Sequence, residues 1–75
     1  MSDLASIKVG AAAAVARIDG TDDIAMRLME MGLTPGVAVQ VIGAAPLGDP
    51  IEVEVRGYRL SLRRSEAARV KVERK

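Results

Sequence analysis

The chain has 75 residues, with eleven Lys and Arg against ten Asp and Glu and a formal net charge of +1 at pH 7. This length accommodates one small domain, so we expect residues 1–75 to form a single domain. Cys and His are both absent, which excludes thiolate and imidazole metal ligands and any nucleophile activated by a histidine. We therefore expect a protein that is not an enzyme.

Hydrophobic residues make up 49% of the chain, but Tyr58 is the only aromatic residue. The core must therefore consist of aliphatic side chains, many of them β-branched and typical of strands. The first residues lack the basic and apolar regions of a signal peptide, and no apolar run approaches about 18 residues. These features predict a cytoplasmic chain without direct membrane insertion.

The first predicted strand covers residues 12–18. Val15 and Ile18 have opposite parity there, so either a bulge intervenes or one of the two faces solvent. Further strands are predicted at residues 37–42 and 70–72, where valines alternate with other residues. Gly and Pro divide the chain at the short spacing typical of a mainly β domain.

One helix is predicted, over residues 22–31. Thr21 is the candidate N-cap, and Gly32 occupies the position where a left-handed residue ends a helix. Ile24, Leu28 and Met31 share one helical face, which should pack on the sheet. The following Pro-Gly dipeptide, residues 35–36, favours a type II turn.

The clearest strands form a predicted hairpin over residues 51–63. Apolar and polar residues alternate on both sides of Gly57-Tyr58, as they do in strands with one buried face. Gly57 suits the first central position of a type II′ turn. That turn would pair Val55 with Leu60, Val53 with Leu62 and Glu52 with Arg63.

Several segments together resemble the FeoA family of ferrous iron transport accessory proteins. They are residues 31–36 (MGLTPG), 45–50 (APLGDP) and 57–67 (GYRLSLRRSEA), and the order and spacing agree across about residues 4–73. The resemblance implies a mainly β fold, a small five-stranded SH3-like barrel with one α-helix inserted after the first strand.

The same resemblance implies a non-enzymatic cytoplasmic protein that docks on the cytoplasmic part of a FeoB-type membrane iron permease. That permease carries a G-protein domain, so the accessory protein would modulate transport or the GTPase cycle. The module also occurs as a C-terminal domain of metal-dependent repressors. Because residue 4 already matches the start of the family, we expect the stand-alone accessory protein.

Apolar residues that the predicted core does not need are candidates for contact with the partner. The proposed patch lies near the end of the helix, with a basic rim that would speed encounter with an acidic surface. Self-association through the patch is the rival interpretation. The candidate partner-binding residues are Met26, Met29, Leu33, Leu47, Asp49, Tyr58, Arg59 and Arg63.

Two of these positions have a second interpretation. Residues 46–50 are either a rigid turn, with Asp49 bonded to the local backbone, or a partner contact through Leu47. Tyr58 is either a lid on the barrel or a contact anchor. Neither choice follows from the sequence alone.

Metal binding, often attached to this family, is not favoured by the residues. The carboxylates are scattered, and methionines at helical spacing are typical of a core or an adaptable interface. We therefore expect no cofactor and no metal site.

The charge distribution supports an alternative function. Residues 56–75 carry eight basic and two acidic side chains, so a small barrel that binds nucleic acid, or a metal-responsive regulatory module, is the alternative. Nucleic-acid barrels stack bases on aromatic residues, and proline-rich peptide binders need an aromatic groove. With Tyr58 alone, neither specific nucleic-acid binding nor peptide binding of that kind is expected.

Overall fold

The computed structural model describes residues 2–74. Within them lie six strands, two α-helices and one 3-10 turn at Leu4–Ser6. In chain order the elements are β1 (Ser2–Asp3), β2 (Ala12–Ile18), α1 (Asp23–Glu30), β3 (Ala38–Ala44), β4 (Ile51–Val55), β5 (Tyr58–Leu62), α2 (Arg64–Ala67) and β6 (Val70–Arg74).

All the strand pairs of this part of the chain are antiparallel, in the order β1-β6-β2-β3-β4-β5. The predicted mainly β class is confirmed. The predicted five-stranded barrel is not confirmed, because residues 2–74 form six strands in a sheet whose outer strands, β1 and β5, do not pair. The helix also follows the second strand and not the first, since the short β1 precedes β2.

The core is aliphatic, as the composition predicts. Strand β4 shows the strict alternation of its sequence, with Ile51, Val53 and Val55 buried and Glu52 and Glu54 exposed. No polar or charged residue is buried anywhere in residues 2–73. Hydrophobic burial must therefore supply most of the stability. The other buried aliphatic residues of the strands are Ala13, Val15, Val39, Val41, Leu62, Val70 and Val72.

A bulge resolves the ambiguous parity of β2. The register against β6 shifts between Val15 and Arg17, so Val15 is buried and Ile18 still packs partly against the core. The extra residue turns the second apolar side chain inward, which confirms the bulge and not the solvent-facing alternative.

The hairpin between β4 and β5 keeps the predicted faces but not the predicted register. Val55 pairs with Tyr58 and Val53 with Leu60, two residues away from the predicted pairs. Arg56 and Gly57 form the turn, with φ angles of 53° and 84°. Two successive positive φ angles are typical of a type I′ turn, whose twist matches that of the strands. The predicted type II′ turn at Gly57-Tyr58 is therefore wrong.

Helix α1 begins and ends through side-chain and backbone caps. Asp22, and not the predicted Thr21, is the N-cap, since its Oδ1 accepts a hydrogen bond of 3.1 Å from the backbone N–H of Ala25. Gly32, with φ of 106°, ends the helix as predicted. The backbone N–H of Leu33 donates to the carbonyl of Leu28 and that of Gly32 to the carbonyl of Met29, the pattern of a Schellman motif.

The buried face of α1 differs from the prediction at one position. Ala25 and Leu28 are buried and Met31 packs partly against the core, but Ile24 is 38% exposed. Ile24 is the second residue of the helix, close to the N-cap, and it borders an open cleft described below.

The predicted type II turn at residues 34–37 is confirmed by Gly36, with φ of 90°, and by the hydrogen bond that the Val37 N–H donates to the Thr34 carbonyl.

Candidate partner-binding surface

Most of the candidate apolar contact residues are exposed. Leu47 is 96% exposed, Tyr58 69%, Met26 56% and Met29 43%. They come from three elements: helix α1, the loop between β3 and β4, and the tip of the β4–β5 hairpin. A protein this small seldom leaves several large apolar side chains in water without a contact role.

Leu33 does not belong to this surface. It is fully buried and joins the hydrophobic core, so its place in the predicted patch is wrong. The reason is the Schellman motif, in which the residue after the terminal glycine packs back against the last turn of the helix. Here that residue is Leu33, and its backbone is bonded to Leu28.

The loop of residues 45–50 is held in place from outside itself. The Gly48 N–H donates to the Ala45 carbonyl at 2.7 Å, which closes a turn at the tip. Asp49 Oδ1 accepts from the backbone N–H of Arg64, the first residue of α2, at 3.0 Å. The Arg64 guanidinium donates to the Gly48 carbonyl at 3.2 Å.

These contacts change the interpretation of the loop. Asp49 bonds to the backbone of a distant segment and not to the local backbone, so the predicted local role is wrong. Two hydrogen bonds to Arg64 fix the loop against α2 and hold Leu47 outward. The turn interpretation and the contact interpretation are therefore compatible, because a rigid loop presents an exposed leucine without further ordering.

Tyr58 and the two candidate arginines lie on or beside β5. Tyr58 opens the strand and is exposed, which does not fit a lid packed on the core. Arg59 and Arg63 are exposed, with exposed Ser61 between them. Across the hairpin, Arg59 is opposite Glu54 and Ser61 is opposite Glu52.

Several cations of residues 56–75 are engaged within the fold. The Arg69 guanidinium binds the Asp22 carboxylate through two bonds of 2.7 and 2.8 Å. This pairing, with the N–H of Ala25, lowers the pKa of Asp22 to about 2 and raises the pKa of Arg69. The charged hydrogen bonds fasten the start of α1 to the segment before β6.

The pKa of a second acidic residue near the Arg69–Asp22 ion pair is also lowered. A hydrogen bond from Arg17, with a smaller contribution from Lys71, lowers the pKa of Asp19. On the far side of α1, Arg27 forms an ion pair with Glu66 of α2. Within the basic segment, Arg69 and Lys71 are thus engaged in ion pairs with Asp22 and Asp19, which leaves fewer cations for an outside polyanion.

Two clefts lie on the described surface near these residues. One, of about 530 Å³, separates α1 from the end of β5 and α2, with Ile24, Arg27, Ser61, Arg63 and Glu66 among its lining residues. Another, of about 320 Å³, lies between residues 5–9 and the β3–β4 loop. We refer to the first as the α1–β5 cleft.

The described residues contain neither a candidate cluster of metal ligands nor a candidate membrane-spanning helix. Residues 2–74 contain no group of three or more His, Cys, Asp or Glu side chains that could hold a metal ion. None of the helices in this range is long and apolar enough to cross a membrane.

Two further apolar residues are exposed that sequence patterns did not indicate, Ile24 and Val9, the second of which is 61% exposed. Ile24 has the same spacing to Leu28 as a core residue, so periodicity alone gives no signal for its exposure. Val9 lies in the turn before β2, where neither helical nor strand periodicity applies.

The antiparallel sheet, its short inserted helix and its exposed apolar residues define a small β domain suited to binding another protein. Solved structures give this fold a name. The chain superposes with a TM-score of 0.87 on FeoA of Stenotrophomonas maltophilia, described as a prokaryotic SH3 domain protein and solved in complex with zinc. The two are 34% identical over 97% of this chain and 91% of that one.

The family model of the FeoA domain matches residues 3–74, so this chain belongs to the FeoA family. The fold is accordingly SH3-like, and the family is linked to ferrous iron transport. A FeoA-like protein of Clostridium acetobutylicum is similar as well, with a TM-score of 0.91 and 36% identity over 97% of this chain and 85% of that one.

A curated relative of Porphyromonas gingivalis is described as a fusion of Fe(2+) transport protein A with the Fe(2+) transporter FeoB. It is 36% identical over 70 residues, which are 93% of this chain. This chain spans only 8% of the length of that relative.

Proposed function

We propose that this chain is a non-enzymatic accessory protein of ferrous iron uptake that docks on the cytoplasmic part of a FeoB-type permease. There it would modulate transport or the GTPase cycle of the permease. The observation that carries the proposal is the fused relative, in which a FeoA part and a FeoB part share one chain. Fusion holds two parts at a high effective concentration, which supports a working contact between the separate proteins.

The surface chemistry supports docking through apolar residues. Burying an exposed leucine contributes about 1.5 to 3 kcal/mol, and Leu47 is 96% exposed on a loop that is already ordered by Arg64. Met26 and Met29 add unbranched side chains that repack at low cost against a partner. Arg59 and Arg63 would supply the basic rim that favours an acidic surface.

The role of FeoA of S. maltophilia as a ferrous iron transport activating factor, suggested with its structure, is in line with this proposal. For this chain we propose a contact with the permease that changes the rate of its GTP hydrolysis. A docked protein that changes the rate of hydrolysis does so by binding two states of the permease with different affinity.

The test is a binding measurement with paired variants. Met29→Ser and Leu47→Ser should leave the circular dichroism spectrum and the melting temperature close to wild type, because Leu47 is almost wholly in water and Met29 lies outside the buried core. Each should weaken binding to the purified cytoplasmic domain of the permease, measured by calorimetry. Val9→Ser is the matched control, since it removes an exposed apolar side chain from another segment.

Two results would contradict the proposal. If the melting temperature collapses in Met29→Ser or Leu47→Ser, those residues belong to the core and the surface does not exist. If both variants bind the permease domain as tightly as wild type and Val9→Ser, docking does not use these residues. Analytical ultracentrifugation of the same variants separates docking from weak self-association. If the surface mediates self-association, the variants should also lose any association that wild type shows on its own.

A further inference from the structure

Strand β5 lies at the margin of the sheet. The ladder order places β4 on one side of it and no described strand on the other. The opposite margin is β1, which has only two residues, whereas β5 has five. A longer edge strand offers a row of backbone groups to which another chain can pair. The edge of β5 is therefore the larger place on this sheet where a strand could be added.

The direction of the backbone groups of β5 follows from the hydrogen bonds of the neighbouring strands. Val41 of β3 accepts from the Gly10 N–H and donates to the Ala11 carbonyl, so its backbone groups point toward β2. Val53, opposite Val41 on β4, must then point its backbone groups toward β5. Its partner there is Leu60.

Successive residues of a strand point their backbone groups in opposite directions. Leu60 faces β4, so the N–H and C=O groups of Arg59 and Ser61 point outward at the open edge. The next outward N–H, that of Arg63, is already bonded to Glu66 Oε1 at 3.0 Å. The free row is thus short and centred on Ser61.

The side chains around this edge specify the chemistry of an added strand. On the solvent face, β4 carries Glu52 and Glu54 and β5 carries Arg59 and, just beyond its end, Arg63. The sign of the charge thus changes from one strand to the next. Residues 2–74 include no side-chain ion pair of Arg59 or Arg63, so a third strand of acidic residues would continue the alternation.

The other face of the edge is apolar. Tyr58 and half-buried Leu60 lie on it. The α1–β5 cleft, which adjoins the edge at Ser61 and Arg63, adds the exposed side chain of Ile24. A strand laid along β5 would direct alternate residues to this face. Those residues should be apolar, and the residues between them acidic.

Self-pairing through β5 is disfavoured by the same charges. In an antiparallel pair of two copies centred on Ser61, Arg59 of each copy would lie opposite Arg63 of the other. Like charges directly opposite each other destabilise a strand pair. The edge is therefore suited to a different chain that carries the opposite charge.

We propose that the outer edge of β5 binds, as an added strand, an extended segment of a partner protein in which acidic and apolar residues alternate. This inference rests on the proposed function, since it describes how docking on the permease would occur. Charge complementarity with Arg59 and Arg63, the outward backbone groups at Ser61 and the adjoining cleft all favour this occupant.

The first experiment uses a defined probe, an acetylated octapeptide that repeats Glu-Val four times, in a titration followed by NMR. Binding should protect the amide protons of Arg59 and Ser61 from exchange by at least about tenfold, because pairing buries them in a ladder. The amide of Leu60, already bonded to β4, should change little. A Glu-Pro octapeptide is the matched control, since it keeps the charge but cannot pair as a strand.

Variants test the edge in the folded protein. Ser61→Pro removes an outward N–H without touching the β4 ladder and should weaken peptide binding by at least about tenfold, whereas Ser61→Thr should bind as wild type does. Arg59→Glu should weaken binding more than Lys8→Glu, which makes the same charge change on an exposed residue of another segment. Melting curves of all four variants check the fold.

The inference is overturned if the Glu-Pro peptide binds as tightly as the Glu-Val peptide, or if Ser61→Pro folds and binds normally. It is also overturned if the Arg59 and Ser61 amides gain no protection. If wild type and Ser61→Pro bind the permease domain equally well, strand addition at β5 is wrong but docking on the permease stands. If wild type does not bind that domain, docking on the permease is wrong, and the peptide titration still tests strand addition at β5.

Discussion

Replacing Val53 by Asp should unfold this domain at neutral pH. Val53 is fully buried at the centre of β4, between Val41 of β3 and Leu60 of β5. An aspartate there must be protonated to remain buried, which costs about 4 kcal/mol at pH 7 from an ordinary pKa of about 3.9. The lost burial of the valine adds about 1.5 kcal/mol.

The sum of these costs, about 5 to 6 kcal/mol, is comparable with the whole stability expected of 75 residues, about 4 to 11 kcal/mol. At pH 4 the protonation cost nearly vanishes, so the variant should recover much of its stability. Urea and thermal melts at both pH values, followed by circular dichroism, measure the two contributions. Leu62→Asp, fully comparable in burial, should behave in the same way.

Two control variants make the result decisive. Val53→Ala removes apolar atoms without adding charge and should cost about 2 kcal/mol at either pH. Arg59→Ala, on the exposed face of β5, should lie within about 0.5 kcal/mol of wild type. If Arg59→Ala unfolds the domain and Val53→Asp does not, the two faces of the hairpin are reversed. If Val53→Asp is equally unstable at pH 4 and pH 7, the buried charge is not the cause.

Three further predictions concern a salt bridge, a turn and a metal. Asp22→Asn keeps the helix cap but loses the charged pairing with Arg69. Because that pairing lowers the pKa of Asp22 to about 2, the stability that it contributes is fully present above about pH 4 and is lost as the pH falls toward about 2. The difference in melting temperature between wild type and Asp22→Asn should therefore shrink as the pH is lowered from about 4 to about 2, and a constant difference would contradict the assignment. Arg56→Asn, at a φ of 53°, should stabilise the type I′ turn by about 0.5 to 1 kcal/mol, seen as a higher melting temperature. The Arg56 guanidinium also donates a hydrogen bond of 3.4 Å to the Thr34 hydroxyl, and an unchanged or lower melting temperature would show that this contact outweighs the turn. Anaerobic titration with Fe(II) should reveal no binding tighter than about micromolar, and a stoichiometric nanomolar site would refute this.

Sequence patterns predict those parts of the fold that depend on local chemistry. Alternation in β4 fixed its buried face, and the glycines at positions 32 and 36 marked the end of the helix and the turn after it. The hairpin register escaped prediction because a shift of two residues leaves every side chain on the same face. Hydrophobic periodicity cannot distinguish the two registers; the positive φ of Arg56 does.

Other features depend on contacts between distant residues. Asp22 and Thr21 are both good caps, and the choice between them is associated with Arg69, 47 residues away. The two-residue β1 is too short for any periodicity, and it pairs only with β6 in this part of the chain. Leu33 could have been assigned to the core, because the residue after a helix-ending glycine commonly packs back on the helix.

The pairing of β1 with β6 has a geometric consequence for a fused protein. Ser2 lies beside Val72 and Asp3 beside Lys71, so the domain is entered and left at neighbouring points. Three strands, β2, β3 and β4, separate the β1–β6 pair from β5. A covalent connection at either terminus would therefore start from the β1–β6 side and would not use up the backbone groups of β5. Such a tether would restrict where the domain can move while its exposed hairpin and loop remain available to the chain that carries it.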